Sequence, residues 1–325
     1  MLLAADIGGT KTLVGLFRPP GPRPVAVETR EYATLDFANM IELVDAFLRE
    51  TGSPAIDVVV AGVAGPVHGL VAELTNAPWS ADLADVSRRL GCKAALLNDL
   101  EAMAYSVSVL AADELLVLQD GEPDPGGNAG LIAAGTGLNE SHIHNVDGRL
   151  IPSASESGHA DFAARTEAEL AFVRERIRAD GRAEIESLLS GPGLVNLYRF
   201  THGDRRPPAC PVSDDAHGDT AAELTASALA NECPRCVEAL DMFVAAYGAE
   251  TGNLALRSMT TAGVYVGGGI APKILPALKK GPFMHAFRAK PPMDDLLARI
   301  PVKVILNPGA ALVGASVKAA SLIGR

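Results

Sequence analysis

A short apolar run over residues 2–7 breaks at Gly8-Gly9-Thr10-Lys11 and resumes over residues 12–17. The same figure returns far down the chain, where residues 129–134 are apolar and Gly135-Thr136-Gly137 precedes a second apolar run. Each reads as strand, tight turn, strand, with glycine supplying the backbone freedom of the turn. Backbone N–H groups at such a tip can approach a phosphate closely. Either turn alone is also satisfied by an ordinary hairpin. Two in matching strand contexts suggest two loops gripping one polyphosphate from opposite sides. With 325 residues the chain is long enough for about two domains.

Other segments alternate between strand and helix patterns. Residues 25–33 read as a third strand. Residues 36–50 carry apolar positions at helical spacing with Asp36 as a cap, and residues 56–63 read as a buried strand rich in β-branched residues. Residues 80–90 read as a helix ended by Gly91, 93–97 as a strand and 99–110 as a helix. The run Q-D-G-E-P-D-P-G-G-N at 119–128 is a surface connection. Further on, 166–179 and 237–259 are helical, 201–218 is loop-like, 262–266 and 302–306 are strands, and 309–322 is a closing helix. The fold class is α/β.

Composition narrows the function classes. Apolar residues make up 48% and charged residues 21%, which excludes wholesale disorder. With 28 basic against 39 acidic residues the net charge is −11, and no Lys/Arg-rich run stands out. A nucleic-acid or anionic-membrane partner is therefore not expected. No basic n-region precedes the first strand and no apolar stretch approaches the ~20 residues of a membrane span. Four cysteines in so long a chain do not indicate a disulfide scaffold. A cytoplasmic location is the expectation.

Five groups of residues carry possible chemistry. Asp6 precedes the first turn and is placed to hold Mg²⁺ through water, while Gly8, Gly9, Thr10 and Lys11 offer donors to phosphate. The pattern is not a Walker A loop. Gly135, Thr136 and Gly137 form the second candidate. Asn98 and Asp99 stand where a strand ends and a helix begins. Their commonest role there is a helix cap, but a carboxylate at a strand's C-terminal edge also sits where open α/β sheets bind ligands and where a base for an attacking hydroxyl is needed. Glu156 and His159, three residues apart, suit bidentate hydrogen bonding to vicinal sugar hydroxyls, or else a polar surface loop. Gly267-Gly268-Gly269 lies between a buried strand and a helix start, allowing close approach of a nucleotide, though not as a Rossmann fingerprint.

Two further features read more plainly. Cys233-Pro-Arg-Cys236 has C-x-x-C spacing, but Cys210, His202 and His217 supply no second pair at finger spacing, and the motif opens a long helix rather than a βαβ unit. Ordinary cysteines are the expectation. His142 and His144 alternate as in a strand with one exposed face.

Taken in order, these motifs resemble the bacterial glucokinase family of the actin/hexokinase/Hsp70 superfamily, from end to end. Residues 6–12 and 134–138 resemble its two phosphate loops, and Ala61-Gly-Val-Ala-Gly-Pro66 and Leu74-Thr-Asn-Ala-Pro-Trp79 its A-G-P and T-N-x-x-W segments. Glu156 and His159 match its E-G-G-H motif, and Leu189-Ser-Gly-Pro-Gly-Leu-Val-Asn-Leu-Tyr198 is a long family string preceded by Glu186, another sugar ligand. Gly268 and Gly269 fall in the adenosine-side motif. Asn139 departs from G-T-G-L-G and Ser157 from E-G-G-H. The Cys-rich zinc motif of the related repressor/kinase family is missing.

The resemblance implies a two-domain actin-like (ribonuclease H-like) ATPase fold with an interdomain cleft. Residues 1–110 plus 302–325 would form the smaller α/β domain and 111–301 the larger. It implies ATP-dependent phosphorylation of glucose at the 6-hydroxyl, with ATP and Mg²⁺ bound. Asn98, Asp99, Glu156, His159 and Glu186 would hold the sugar, and Asp99 would act as base. A homodimer is implied as well. A kinase for another hexose or amino sugar, another phosphoryl donor, and a sugar-sensing regulator of the same fold are the alternatives.

Overall fold

In a computed structural model, residues 1–74, 80–203, 210–213 and 219–323 are described. The T-N-A-P-W run at 75–79 and His217 lie outside them. The chain divides into two units: Met1–Glu114 with Leu150–Ala154 and Asn307–Arg325, and Leu115–Arg149 with Ser155–Leu306.

The first unit is built on five strands in the order Val25–Ala33, Lys11–Arg18, Leu2–Ile7, Val58–Val63, Lys93–Asn98. Leu2–Ile7 pairs antiparallel with Lys11–Arg18 and parallel with Val58–Val63, which is parallel to Lys93–Asn98. The central strands are apolar on both faces, as strands covered on both sides must be. Leu3, Ala5 and Ile7 pack with the helices Met40–Glu50 and Leu83–Leu90. Leu2 and Ala4 pack on the other face with Ala102, Ala311 and Ala315 of the helices Asp99–Ser106 and Ala310–Ser321. Small side chains there let the Asp99 helix lie close to the sheet.

Four strands of the second unit repeat the pairing of Lys11–Arg18, Leu2–Ile7, Val58–Val63 and Lys93–Asn98, and a fifth, antiparallel to its neighbour, is added at the edge. Their order is Leu138–Val146, Ala129–Ala134, Gly263–Gly267, Val302–Ile305, Leu115–Gln119. Ala129–Ala134 is antiparallel to Leu138–Val146 and parallel to Gly263–Gly267, which is parallel to Val302–Ile305. The figure seen twice in the sequence is thus one topology used twice, and both Gly-Thr turns close the central hairpin of their sheet. The core lies against the 25-residue helix Pro234–Ser258, whose Phe243, Tyr247 and Leu254 are fully buried.

Two helix starts differ from the sequence reading. The first helix begins at Met40 with Asn39 as cap, its side chain accepting from the Glu42 N–H, while Asp36 ends a separate 3₁₀ turn. Residues 80–82 form a strand against Val71–Glu73, and Asp82 caps the helix that follows. Gly91 ends that helix in the left-handed region at φ 64°. The helix expected over 99–110 closes at Ser106.

Candidate active site

In the first unit, the turn after Ile7 is shaped from within and from a residue the motif does not contain. Gly8 N–H donates to Lys11 O (2.9 Å). Thr34 donates its N–H to Thr10 O (2.9 Å) and its hydroxyl to Gly8 O (2.7 Å), and meets the buried Thr12 hydroxyl at 2.9 Å. Thr34 is invisible to motif reading because it arrives from the neighbouring strand. Lys11 turns its ammonium to Glu31 at the surface (2.6 Å). Thr10 is exposed.

The cap reading offered for Asn98 and Asp99 is met at the start of the helix Asp99–Ser106. Asn98 is the helix cap, its Oδ1 accepting from the Leu100 N–H (3.0 Å), and its Nδ2 donates to Gly65 O (3.4 Å). Gly65 belongs to the A-G-V-A-G-P segment. Asp99 Oδ1 accepts from the same Leu100 N–H (2.7 Å), which fixes its carboxylate at the helix start, where the dipole favours negative charge. Asp6 lies near enough to feel that charge. Burial first, and then Asp99, push the Asp6 carboxyl up to about 6.

The second unit gathers the other candidates. Gly135 N–H donates to Gly137 O (2.7 Å), and Gly135 O accepts from Gly191 N–H (2.8 Å), the first residue of the helix Gly191–His202. Ser190 caps that helix at the Gly193 N–H and ties back to Glu186 O (2.8 Å). The Glu186 carboxylate in turn accepts from Leu138 N–H (2.9 Å). A Cβ at Gly137 would stand 2.5 Å from Glu186 Oε2, so any larger residue there would force the Glu186 carboxylate to shift. Gly268 follows the strand Gly263–Gly267 at φ 83°, and the Ile270 N–H donates to Ala134 O (3.2 Å), bringing Gly268-Gly269 beside the second turn.

Glu156 precedes the 3₁₀ turn Ser157–His159 and Glu186 lies in the 3₁₀ turn Ile185–Ser187. The two turns are tied by Ile185 N–H to Ala160 O (2.9 Å), by Phe162 N–H to Ala183 O (2.9 Å) and by an Asp161–Glu184 bridge. His159 Nδ1 meets Glu184 Oε2 at 3.1 Å, and that hydrogen bond pushes the imidazole pKa up, with the charges of Glu186 and Glu156 adding. Glu184, like Thr34, is a partner that motif reading missed.

The two departures from the family pattern touch one another. Asn139 Oδ1 accepts from the Ser157 N–H (3.1 Å), the Ser157 hydroxyl (3.3 Å) and the Ser155 hydroxyl (3.2 Å), and Asn139 Nδ2 donates to Glu156 Oε2 (3.3 Å). Polar side chains thus hold Glu156 where the pattern has glycines. His142 is half-buried against the Ser258 hydroxyl and His144 is exposed, as the alternation implies. Among the described residues no helix is long and apolar enough to cross a membrane.

A repeated hairpin-and-parallel sheet with a glycine turn in each copy is the architecture of the two-domain actin-like ATPase fold. The structure superposes with a TM-score of 0.88 on a glucokinase from an Antarctic psychrotroph, at 24% identity over 98% of both chains. It superposes at 0.64 on a ROK family glucokinase from Streptomyces griseus in complex with glucose and AMPPNP, at 21% identity over 98% of this chain and 99% of that one. In sequence, the glucokinase family model matches residues 3–322, and a glucokinase from Nostoc punctiforme is 34% identical over 99% of each chain. The chain belongs to the glucokinase family.

Proposed function

We propose that this chain is an ATP-dependent glucose kinase that transfers the γ-phosphoryl group to the 6-hydroxyl of D-glucose. The observation that carries the reading is family membership over residues 3–322. In this reading Asn98, Asp99, Glu156, His159 and Glu186 hold the sugar hydroxyls. Asp99 takes the proton of the attacking hydroxyl. A weak base suffices because the transition state is loose and the nucleophile needs little activation until late. The turns carrying Gly8, Gly9 and Thr10 and carrying Gly135, Thr136 and Gly137 would hold the phosphates, with Lys11 near the first turn and Gly268-Gly269 on the adenosine side.

Asp6 fits a Mg²⁺ site: it is a half-buried carboxyl whose pKa is raised by burial first and then by the neighbouring Asp99 carboxylate, and a hard cation favours oxygen donors of this kind. Bound there, Mg²⁺ would neutralise charge on the transferred phosphoryl group. Ionised Asp6 is the form that would hold it. Family membership also supports a cytoplasmic homodimer, which light scattering of the purified chain tests for its dimeric part.

Asp99→Asn tests the assigned base. It keeps the cap geometry, so glucose binding by calorimetry should persist while turnover falls about 10²- to 10⁴-fold, the usual worth of a general base. Near-normal turnover in that variant would remove Asp99 from the role.

A further inference from the structure

The four buried side chains His202, Cys210, Cys233 and Cys236 have their ligand atoms within 4.8 Å of one another, and none of them is assigned to substrate. Taken singly they looked ordinary, because no second Cys pair stands at finger spacing. Folding brings them together from three segments: the end of the helix Gly191–His202, the described stretch 210–213, and the start of the helix Pro234–Ser258.

The spacings are those of a metal tetrahedron. His202 Nε2 lies 3.4 Å from Cys210 Sγ, 3.6 Å from Cys233 Sγ and 4.0 Å from Cys236 Sγ, and Cys210 Sγ lies 3.8 Å from Cys236 Sγ. Bond lengths of ~2.3 Å to sulfur and ~2.05 Å to nitrogen give tetrahedral edges of ~3.8 Å between sulfurs and ~3.6 Å between sulfur and nitrogen. A disulfide, by contrast, needs ~2.05 Å between sulfurs, and none of the four cysteines is joined in a disulfide.

The imidazole is oriented for ligation. Its Nδ1 donates to Tyr198 O (2.8 Å), a backbone carbonyl that can only accept. This fixes the proton on Nδ1 and leaves the Nε2 lone pair facing the three sulfurs, the arrangement that metal-bound histidines use. Cys233 stands at the N-cap position of the helix Pro234–Ser258 and Cys236 sits in its first turn, so one helix start supplies two of the sulfurs.

We infer that His202, Cys210, Cys233 and Cys236 bind one zinc ion in a closed structural site. Three thiols release their protons to solvent and three thiolates with one neutral imidazole complete the coordination, so no open position remains for catalysis. The ion clamps the C-terminal end of the Gly191–His202 helix to the helix Pro234–Ser258. Thr201 reinforces the junction, its hydroxyl donating to Arg235 O (3.1 Å). The other end of the clamped helix docks on Gly135 of the second glycine turn.

Elemental analysis of the purified chain should find one zinc per chain. Mercurial titration of the thiols should release it, and Cys233→Ser and His202→Ala should lower the zinc content. Should those variants fail to fold, the wild-type chain refolded with Co²⁺ should show thiolate-to-cobalt charge transfer and tetrahedral d–d bands. Zinc content unchanged in a folded Cys233→Ser variant would overturn the inference. So would a metal-free wild-type chain without the cobalt spectrum, whether its thiols are reduced or a mass loss reveals a disulfide.

Discussion

Asn139 couples Glu156 to the turn behind it through four hydrogen bonds, so its loss should be felt at the sugar rather than at the phosphates. Asn139→Ala should raise the glucose KM about fivefold to tenfold, the worth of one or two such bonds, and leave kcat within about twofold. Steady-state kinetics at saturating ATP checks this. At Asp6 the sign of the pH effect follows from burial. Its folded pKa of about 6 lies above the ordinary 3.8, so the folded chain binds the proton more tightly between those values. Stability is therefore lost as pH rises through that window, and the cost is complete above about pH 6. Asp6→Asn should stabilise the chain at pH 7 by up to about 3 kcal/mol, the equivalent of the shift, as urea unfolding would show. It should also abolish turnover if the ionised form holds Mg²⁺. For the same reason the wild-type rate should fall as pH drops below about 6. Motif reading reached Asp6, Asn98 and Asp99 because each stands at a strand end in its own short pattern. It missed Thr34 and Glu184 because their partners come from other segments.

The helices and hairpins hold these groups by contacts that a single substitution can break. Gly137→Ala would drive its new methyl against Glu186 Oε2, moving either the turn or the carboxylate. It should cost at least tenfold in kcat/KM for glucose while the melting temperature shifts little. Behind the same hairpin, Arg257 bridges Glu140 (3.1 Å) and Glu250 (2.6 Å), both nearly fully buried. Burial and the Glu250 charge push the Glu140 carboxyl well above the usual carboxylate range. Arg257→Ala would leave two buried carboxylates facing each other, destabilising by about 3–5 kcal/mol. The loss should be larger at pH 8 than at pH 5, where a protonated Glu140 needs no partner; chemical denaturation at the two pH values decides it. At this scale the β-branched strands were legible because burial on both faces leaves continuous apolar runs. Residues 80–82 were not, since three residues carry no period and their pairing with Val71–Glu73 is tertiary.

At the scale of the whole molecule, one sheet scheme is used twice, and each copy presents a glycine turn at its central hairpin. The repeat was readable as two Gly-Thr turns in matching strand contexts. The cluster of His202 with Cys210, Cys233 and Cys236 was not, because its ligands lie on three segments that only packing joins. The proposed reaction is a glucose-dependent phosphoryl transfer from ATP. The most direct test is ADP release by the purified chain with Mg-ATP against glucose, mannose, fructose and N-acetylglucosamine, with Asp99→Asn alongside. Release should depend on glucose above the other sugars and vanish in the variant. Glucose binding without ADP release, or release that Asp99→Asn leaves intact, would contradict the proposal.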